Sequence, residues 1–329
     1  MLRFIPMVCL GVAVATAHLP RPALAGSAED LGVMSISLKD VVKPRIGFQG
    51  QTQAAGTPNE AGIGGFFPLM IGDNSVFFFD ALANVNVADF KNYSSIVNTT
   101  VAGTTISTSS RLGYRWLTRD RSWMVGLNAG YDSRPMATGY AERGVKVRDQ
   151  RSVFFQQVAV NAEAVSETWN FNAFALIPVG ETLSKLNNVY TASSLNTYGF
   201  DVGYFISPAL NGSVGYYYQS GDLGTAEGAG VLGRLAYEIT SGLTAGLNVS
   251  YDDAFATRVS ADFNVRFGGA KSASERNAVQ QHPVLKALSK TPGHRDVRVG
   301  EPTDWCVAFS GDQCIIFVDY SRLPSQFQL

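Results

Sequence analysis

The sequence predicts an all-β chain: a single transmembrane, antiparallel, up-and-down β-barrel of about 12 strands, followed by a short C-terminal tail. Three observations carry this expectation. Segments of about ten residues alternate apolar and polar side chains from Pro44 to Gly268. Aromatic residues gather at the ends of the apolar faces, and the breaks between segments alternate between short and long. Of the 329 residues, 46% are hydrophobic and only 16% charged, against about 25% charged in a soluble domain. A formal net charge of -1 gives no basic footprint, so nucleic acid is not an expected partner.

The chain begins with an export signal. Met1-Leu2-Arg3 gives a short positive start and Phe4 to Ala17 an apolar run. Ala23-Leu24-Ala25 before Gly26 has the small-x-small pattern of a signal peptidase site. Residues 1–25 are therefore expected to be removed, and Cys9 with them. Residues 26–44 form a short periplasmic segment. No later stretch of about 20 apolar residues could span a bilayer as a helix, which leaves a closed barrel as the way to satisfy every backbone group in lipid.

Alternation places strands at 45–55, 62–71, 75–89, 104–116, 122–134, 152–164, 169–178, 196–206, 210–220, 229–239, 243–252 and 254–268. The last is the cleanest: Phe255, Val259, Ala261, Phe263, Val265 and Phe267 against Arg258, Ser260, Asp262, Asn264 and Arg266. A soluble sandwich would alternate too. The polar faces here carry arginine and aspartate, as a wet lumen would. Trp116, Trp123, Tyr131, Trp169, Tyr198, Tyr204, Tyr216, Tyr218, Tyr237 and Tyr251 fit the girdles of a membrane barrel. Connections after even-numbered strands are tight, whereas long loops fall at 90–103, 135–151 and 179–195, the asymmetry expected of periplasmic turns and external loops.

The residues expected to line the lumen are Arg45, Gln49, Asp80, Asn84, Arg111, Arg115, Asn128, Asp132, Glu163, Asp201, Arg234, Glu238, Asp262 and Arg266, with Gln51, Asn86, Asn161, Asn248 and Asn264 beside them. Both charge signs are present, so pairing across the interior is expected. A packed interior, a water-filled pore and a corridor for a passing segment of polypeptide all fit this list. Catalysis is not expected. The barrel segment has no histidine, and no nucleophile elbow, zinc-spaced cluster or phosphate loop appears. No cofactor is expected.

Gly64-Gly65-Phe66-Phe67-Pro68-Leu69, Ser75 to Val87, and Leu112-Gly113-Tyr114-Arg115-Trp116 with Ser122-Trp123-Met124-Val125-Gly126-Leu127-Asn128-Ala129-Gly130-Tyr131-Asp132 resemble the barrel domain of the intimin/invasin family, the inverse autotransporters. Asn161 to Pro178, Tyr198 to Tyr204 and Ala261 to Gly268 extend the resemblance over residues 45–268. It implies a twelve-stranded outer-membrane anchor whose following chain turns back through the lumen and carries a passenger outside. Residues 269–329 contain no immunoglobulin-like repeats, and residues 26–44 no peptidoglycan-binding module. The resemblance therefore carries the barrel further than it carries adhesion.

In the tail, Ala270 to Lys290 is rich in helix formers and carries Lys271, Arg276, Lys286 and Lys290. It reads either as a disordered or periplasmic extension or, by the resemblance, as a linker inside the lumen whose lysines meet lumen carboxylates. Asp304 to Tyr320 reads as a hairpin. Cys306 and Cys314, an even pair in an oxidising compartment, fit a disulfide across it. The expected function is an outer-membrane anchor of the inverse-autotransporter type that displays its loops and a short tail at the cell surface; the alternative is a porin-like channel for small solutes. Expected partners are outer-membrane lipid, the barrel-assembly machinery and a host or cell-surface ligand.

Overall fold

The computed structural model describes residues 36–87, 99–101, 105–141, 149, 151–187, 191–224, 226–270, 273–300, 304–310 and 313–319. The expected signal lies outside the described residues. Twelve long strands follow one another round a barrel: β1 (Arg45–Gln51), β2 (Asn59–Ile71), β3 (Ser75–Val87), β4 (Thr105–Leu117), β5 (Trp123–Ala141), β6 (Ser152–Ser166), β7 (Trp169–Pro178), β8 (Asn196–Ser207), β9 (Leu210–Ser220), β10 (Gly228–Thr240), β11 (Leu243–Asp252) and β12 (Ala256–Gly268). Each pairs antiparallel with its sequence neighbours. The ring closes where β1 meets β12, from Arg45 opposite Gly268 to Gln51 opposite Asp262. Closure leaves no long edge unpaired, the condition for a sheet in lipid.

The alternation sorts side chains as the period of two demands. Ile46 and Phe48 on β1, Leu127 on β5, Val160 on β6 and Leu247 on β11 stand exposed on the outside. Trp116, Trp123, Trp169, Tyr204 and Tyr237 lie on strand ends near the short turns. Tyr131, Tyr198, Tyr218 and Tyr251 lie toward the opposite rim. Trp169 and Tyr204 meet edge to face at 5.0 Å. Trp123 and Tyr131 on one strand are about 26 Å apart at the usual rise, which a tilt of about 40° shortens to about 20 Å across the membrane, most of an outer-membrane apolar band.

The short turns share one rim with Arg45 and Gly268. Their local chemistry is specific. The Ser166 hydroxyl accepts from the amides of Thr168 and Trp169. The Asp120 carboxylate accepts from the hydroxyls of Thr118 (2.6 Å) and Ser122 (2.8 Å), which hold it down at about 2. Gly242, between β10 and β11, sits at φ 85°, and a Cβ there would lie 2.2 Å from the Arg266 carbonyl oxygen. Only glycine fits that corner.

Two strand ends differ most from expectation. The first strand stops at Gln51, not 55, because Ala54 bridges Thr57 and Gly56 turns the chain at φ 71°. The fifth continues to Ala141 instead of ending at 134. Beyond Ser133 it pairs with β6 but no longer with β4, and it meets the short strand Thr99–Val101 only from Thr138 on, so Pro135 falls where that edge is unpaired and is tolerated. The loop expected at 179–195 is partly ordered: Leu183–Lys185 pairs with Thr191–Ser194, which in turn pairs with Val299–Gly300.

Among the described residues three short helices accompany the barrel: α1 (Leu38–Val41), α2 (Ala273–Gln281) and α3 (Pro283–Ala287). Pro283 opens α3, where a missing amide costs nothing. Val284, Leu285 and Leu288 are buried, and α3 packs on β5 and β6. Residues 304–310 and 313–319 pair as the expected hairpin. Its ladder sets Cys306 opposite Phe317 and Cys314 opposite Phe309. A disulfide needs Cα atoms within about 7 Å, so closing it would require a shift of this register. The cysteine side chains themselves lie outside the described residues.

Candidate functional site: the threaded lumen

Each expected lumen residue lies on the inward set of its strand, and most find partners there. Arg111 is fully buried and grips Asp132 with both arms of its fork, at 2.6 and 2.8 Å. Arg115, equally buried, holds Glu163 at 2.7 and 3.2 Å. Asn128 accepts from Asn161 at 3.0 Å. Gln49 donates to Asn84 (3.0 Å) and accepts from Arg266 (2.9 Å). Asn84 donates in turn to Glu60. Arg234 pairs with Asp262 and donates to Asn248 (2.7 Å). Arg45 is partly buried next to Gly269, at the foot of β1.

Down the middle runs the tail. His282 reaches Glu167 (3.5 Å) at a short turn. Lys286 pairs with Glu238 and donates to the Pro208 carbonyl (2.9 Å) on the same rim. Thr291, Pro292 and Gly293 do not continue the helix, and the chain extends. His294 stacks on Phe174 at 3.7 Å and meets Asp201 at 2.6 Å. Its φ of 51° is one that a non-glycine residue adopts only at a cost of about 1–2 kcal/mol; these two contacts offset that cost. Arg295 pairs with Asp80 and donates to Ser109 (2.7 Å). Asp296 accepts from Gln51 (2.9 Å).

At the far rim, the Arg298 guanidinium lies over Tyr217 (4.5 Å) and donates to Asp252 (3.2 Å) and the Ala55 carbonyl (3.2 Å). Val299 and Gly300 then join the strand at Ser193 and Ser194, in the long loop between β7 and β8. From Leu288 to Val299 an extended chain reaches at most about 40 Å. That is enough to cross the membrane from the short-turn rim to the long-loop rim in one pass.

A chain buried without strand partners must still satisfy its backbone. Arg115 Nη1 donates to the carbonyls of Leu288 (3.3 Å) and Lys290 (2.7 Å). Arg111 Nη2 donates to that of His294 (3.2 Å) and Gln157 to that of Asp296 (3.3 Å). Arg134 donates to that of Val297 (2.8 Å).

Of the four tail cations marked in the sequence, Lys286 meets a lumen carboxylate. Lys290 contributes its carbonyl, Arg276 is exposed on α2, and Lys271 lies outside the described residues. Two further tail cations, Arg295 in the lumen and Arg298 at the far rim, went unmarked, as did Arg134, Gln157, Tyr217 and Asp252 on the wall. Period-two continuation from Asp132 and Asn248 points inward at Arg134 and Asp252. Nothing comparable marks the tail.

No protein family matches the chain, and no curated protein matches it. Among solved structures it is similar to a membrane protein from a study of in-meso crystallization, at 11% identity and TM-score 0.55, over 78% of this chain and 98% of that one. It is also similar to outer membrane phospholipase A from Escherichia coli (13% identity, TM-score 0.36, 75% and 100% covered). A third is the Acinetobacter baumannii outer membrane protein Omp33 (14%, 0.38, 69% and 99%). At 11% identity the first of these likenesses is one of fold alone. Antiparallel closure, an apolar outer band between aromatic rims and a charged interior leave one reading of that fold: the chain is a twelve-stranded β-barrel of the outer membrane.

Proposed function

We propose that this barrel is an anchor that carries its own C-terminal segment through its lumen to the cell surface, in the manner of the inverse autotransporters. One observation supports the reading above others: residues 291–300 leave the helix end and cross the lumen in a single pass, bonded to the wall along the way. Short turns face the periplasm and long loops the outside in such barrels. The chain that passes Gly300 then leaves on the outer side, where the long loops are displayed beside it. We read no chemical reaction into the interior. Asp80, Asp132, Glu163, Asp201 and Asp262 are each engaged by an arginine or histidine and so are poorly placed to activate a nucleophile.

An epitope tag fused after Leu329 tests this. Antibody is expected to label intact cells, and external protease to remove the tag while the barrel stays whole. Recognition only after permeabilisation would overturn it. Combined with single-channel conductance of the purified full chain, that result would make the protein a porin-like channel instead.

A further inference from the structure

The wall formed by β4, β5 and β6 touches the tail in a different way from the rest of the lumen. On this wall, five contacts from four side chains (Arg115 twice, Arg111, Gln157 and Arg134) end on main-chain carbonyl oxygens of the tail, beside one side-chain bond, from Arg295 to Ser109 at 2.7 Å. The carboxylates on other strands act differently: Asp80 on β3, Asp201 on β8, Glu238 on β10 and Asp252 on β11 meet tail side chains. A main-chain carbonyl is the same group in every residue, so a donor aimed at it is indifferent to sequence.

The donors are also held by the wall itself. Two N–H groups of Arg111 are spent on Asp132, and two of Arg115 on Glu163. Gln157 is tied to the same Asp132 at 2.8 Å. A guanidinium has five N–H groups in a rigid fork. Two anchored on a wall carboxylate leave others pointing at the axis, pre-organised for an acceptor. The carbonyls of Leu288 and Lys290 belong to the last turn after α3, and those of His294, Asp296 and Val297 to the chain beyond it, so the wall takes main-chain oxygens from two local conformations.

We infer that the β4–β6 wall is a binding track for a single pass of polypeptide, recognised through its main chain and tolerant of its sequence. This rests on the proposed passage of the tail and names what that passage binds. Its ligand is a segment of chain running singly through the lumen; the tail seen here is the one parked in it.

The test uses the full chain with Cys306 and Cys314 replaced by serine and Val297→Cys as reporter. Val297 is buried against the wall, so a threaded tail protects the thiol from a soluble maleimide. Two variants are compared, both checked for a heat-modifiable folded band. Asp80→Asn with Arg295→Gln removes a side-chain contact, and labelling is expected to stay within twofold of the parent. Arg111→Met with Asp132→Asn plus Arg115→Met with Glu163→Gln, combined with Arg134→Met and Gln157→Leu, removes the track, and labelling is expected to rise tenfold or more. Protection that survives loss of the track, or labelling that rises as much in the first variant, overturns the inference. Neither result depends on which side the C-terminus reaches, which the epitope experiment reads separately.

Discussion

Two walls of one lumen, built from the same residue types by the same alternation, have opposite fates. On β4–β6, Arg111, Arg115 and Asp132 are 0–1% exposed, and the arginines extend past their carboxylates to the tail. On β10–β12, Arg234 and Asp262 are 33% and 19% exposed and bond to each other and to Asn248. The first pair is sealed beneath a polypeptide; the second remains in contact with water. What lies at the barrel axis, more than what lies in the strand, decides whether an inward arginine is structural or solvated.

The largest effect should fall on the sealed wall. Arg111→Ala leaves Asp132 charged in a dry site and takes the donor from the His294 carbonyl. Removing one partner of a buried pair costs about 3–5 kcal/mol. Urea unfolding of the barrel in lipid vesicles should show a loss of this size, and one below 1 kcal/mol would mean that water reaches this wall as it reaches the other.

The outer surface should not register the difference between the walls. Leu127 on β5 and Leu247 on β11 are both exposed, each about midway between the aromatic rims. An arginine near the bilayer midplane costs about 2–4 kcal/mol. Leu127→Arg and Leu247→Arg should therefore destabilise by the same amount within error in the same titration. A difference of more than about 1 kcal/mol, large beside the scatter tolerated for independent sites, would show that the lumen contents reach through the sheet.

The barrel was legible because a side-chain period of two is a strong constraint: a strand with one face in lipid has no freedom to shift register by one residue. Arg111, Asp132 and Asp262 could be assigned inward from their neighbours alone. The strand ends at Gln51 and Ala141 could not, since they depend on a turn at Gly56 and on loss of pairing to β4. The thread was the least legible part. Residues 288–298 have no repeat, and their fit is with Asp80, Asp201 and Asp252, which follow no order in the sequence that matches the tail's. Lys286 met its carboxylate as a lumen linker should, but nothing in His294-Arg295-Asp296-Val297-Arg298 separates a lumen strand from a polar loop.

The smallest effect is expected on the open wall, and it is the one that tests the contrast. Arg234→Ala removes a guanidinium bonded to Asp262 and Asn248 within β10–β12. Water already reaches both charges, so Asp262 keeps a solvated partner and Asn248 Nδ2 still donates to it at 2.8 Å. Exposed pairs are worth about 0–1 kcal/mol, and the urea midpoint should move by no more than that corresponds to. Raising salt should weaken the parent pair slightly and leave the variant unchanged, because accessible charges are screened and sealed ones much less so. If Arg234→Ala costs as much as Arg111→Ala, the exposure difference between the walls has no energetic meaning, and the interior is uniformly dry.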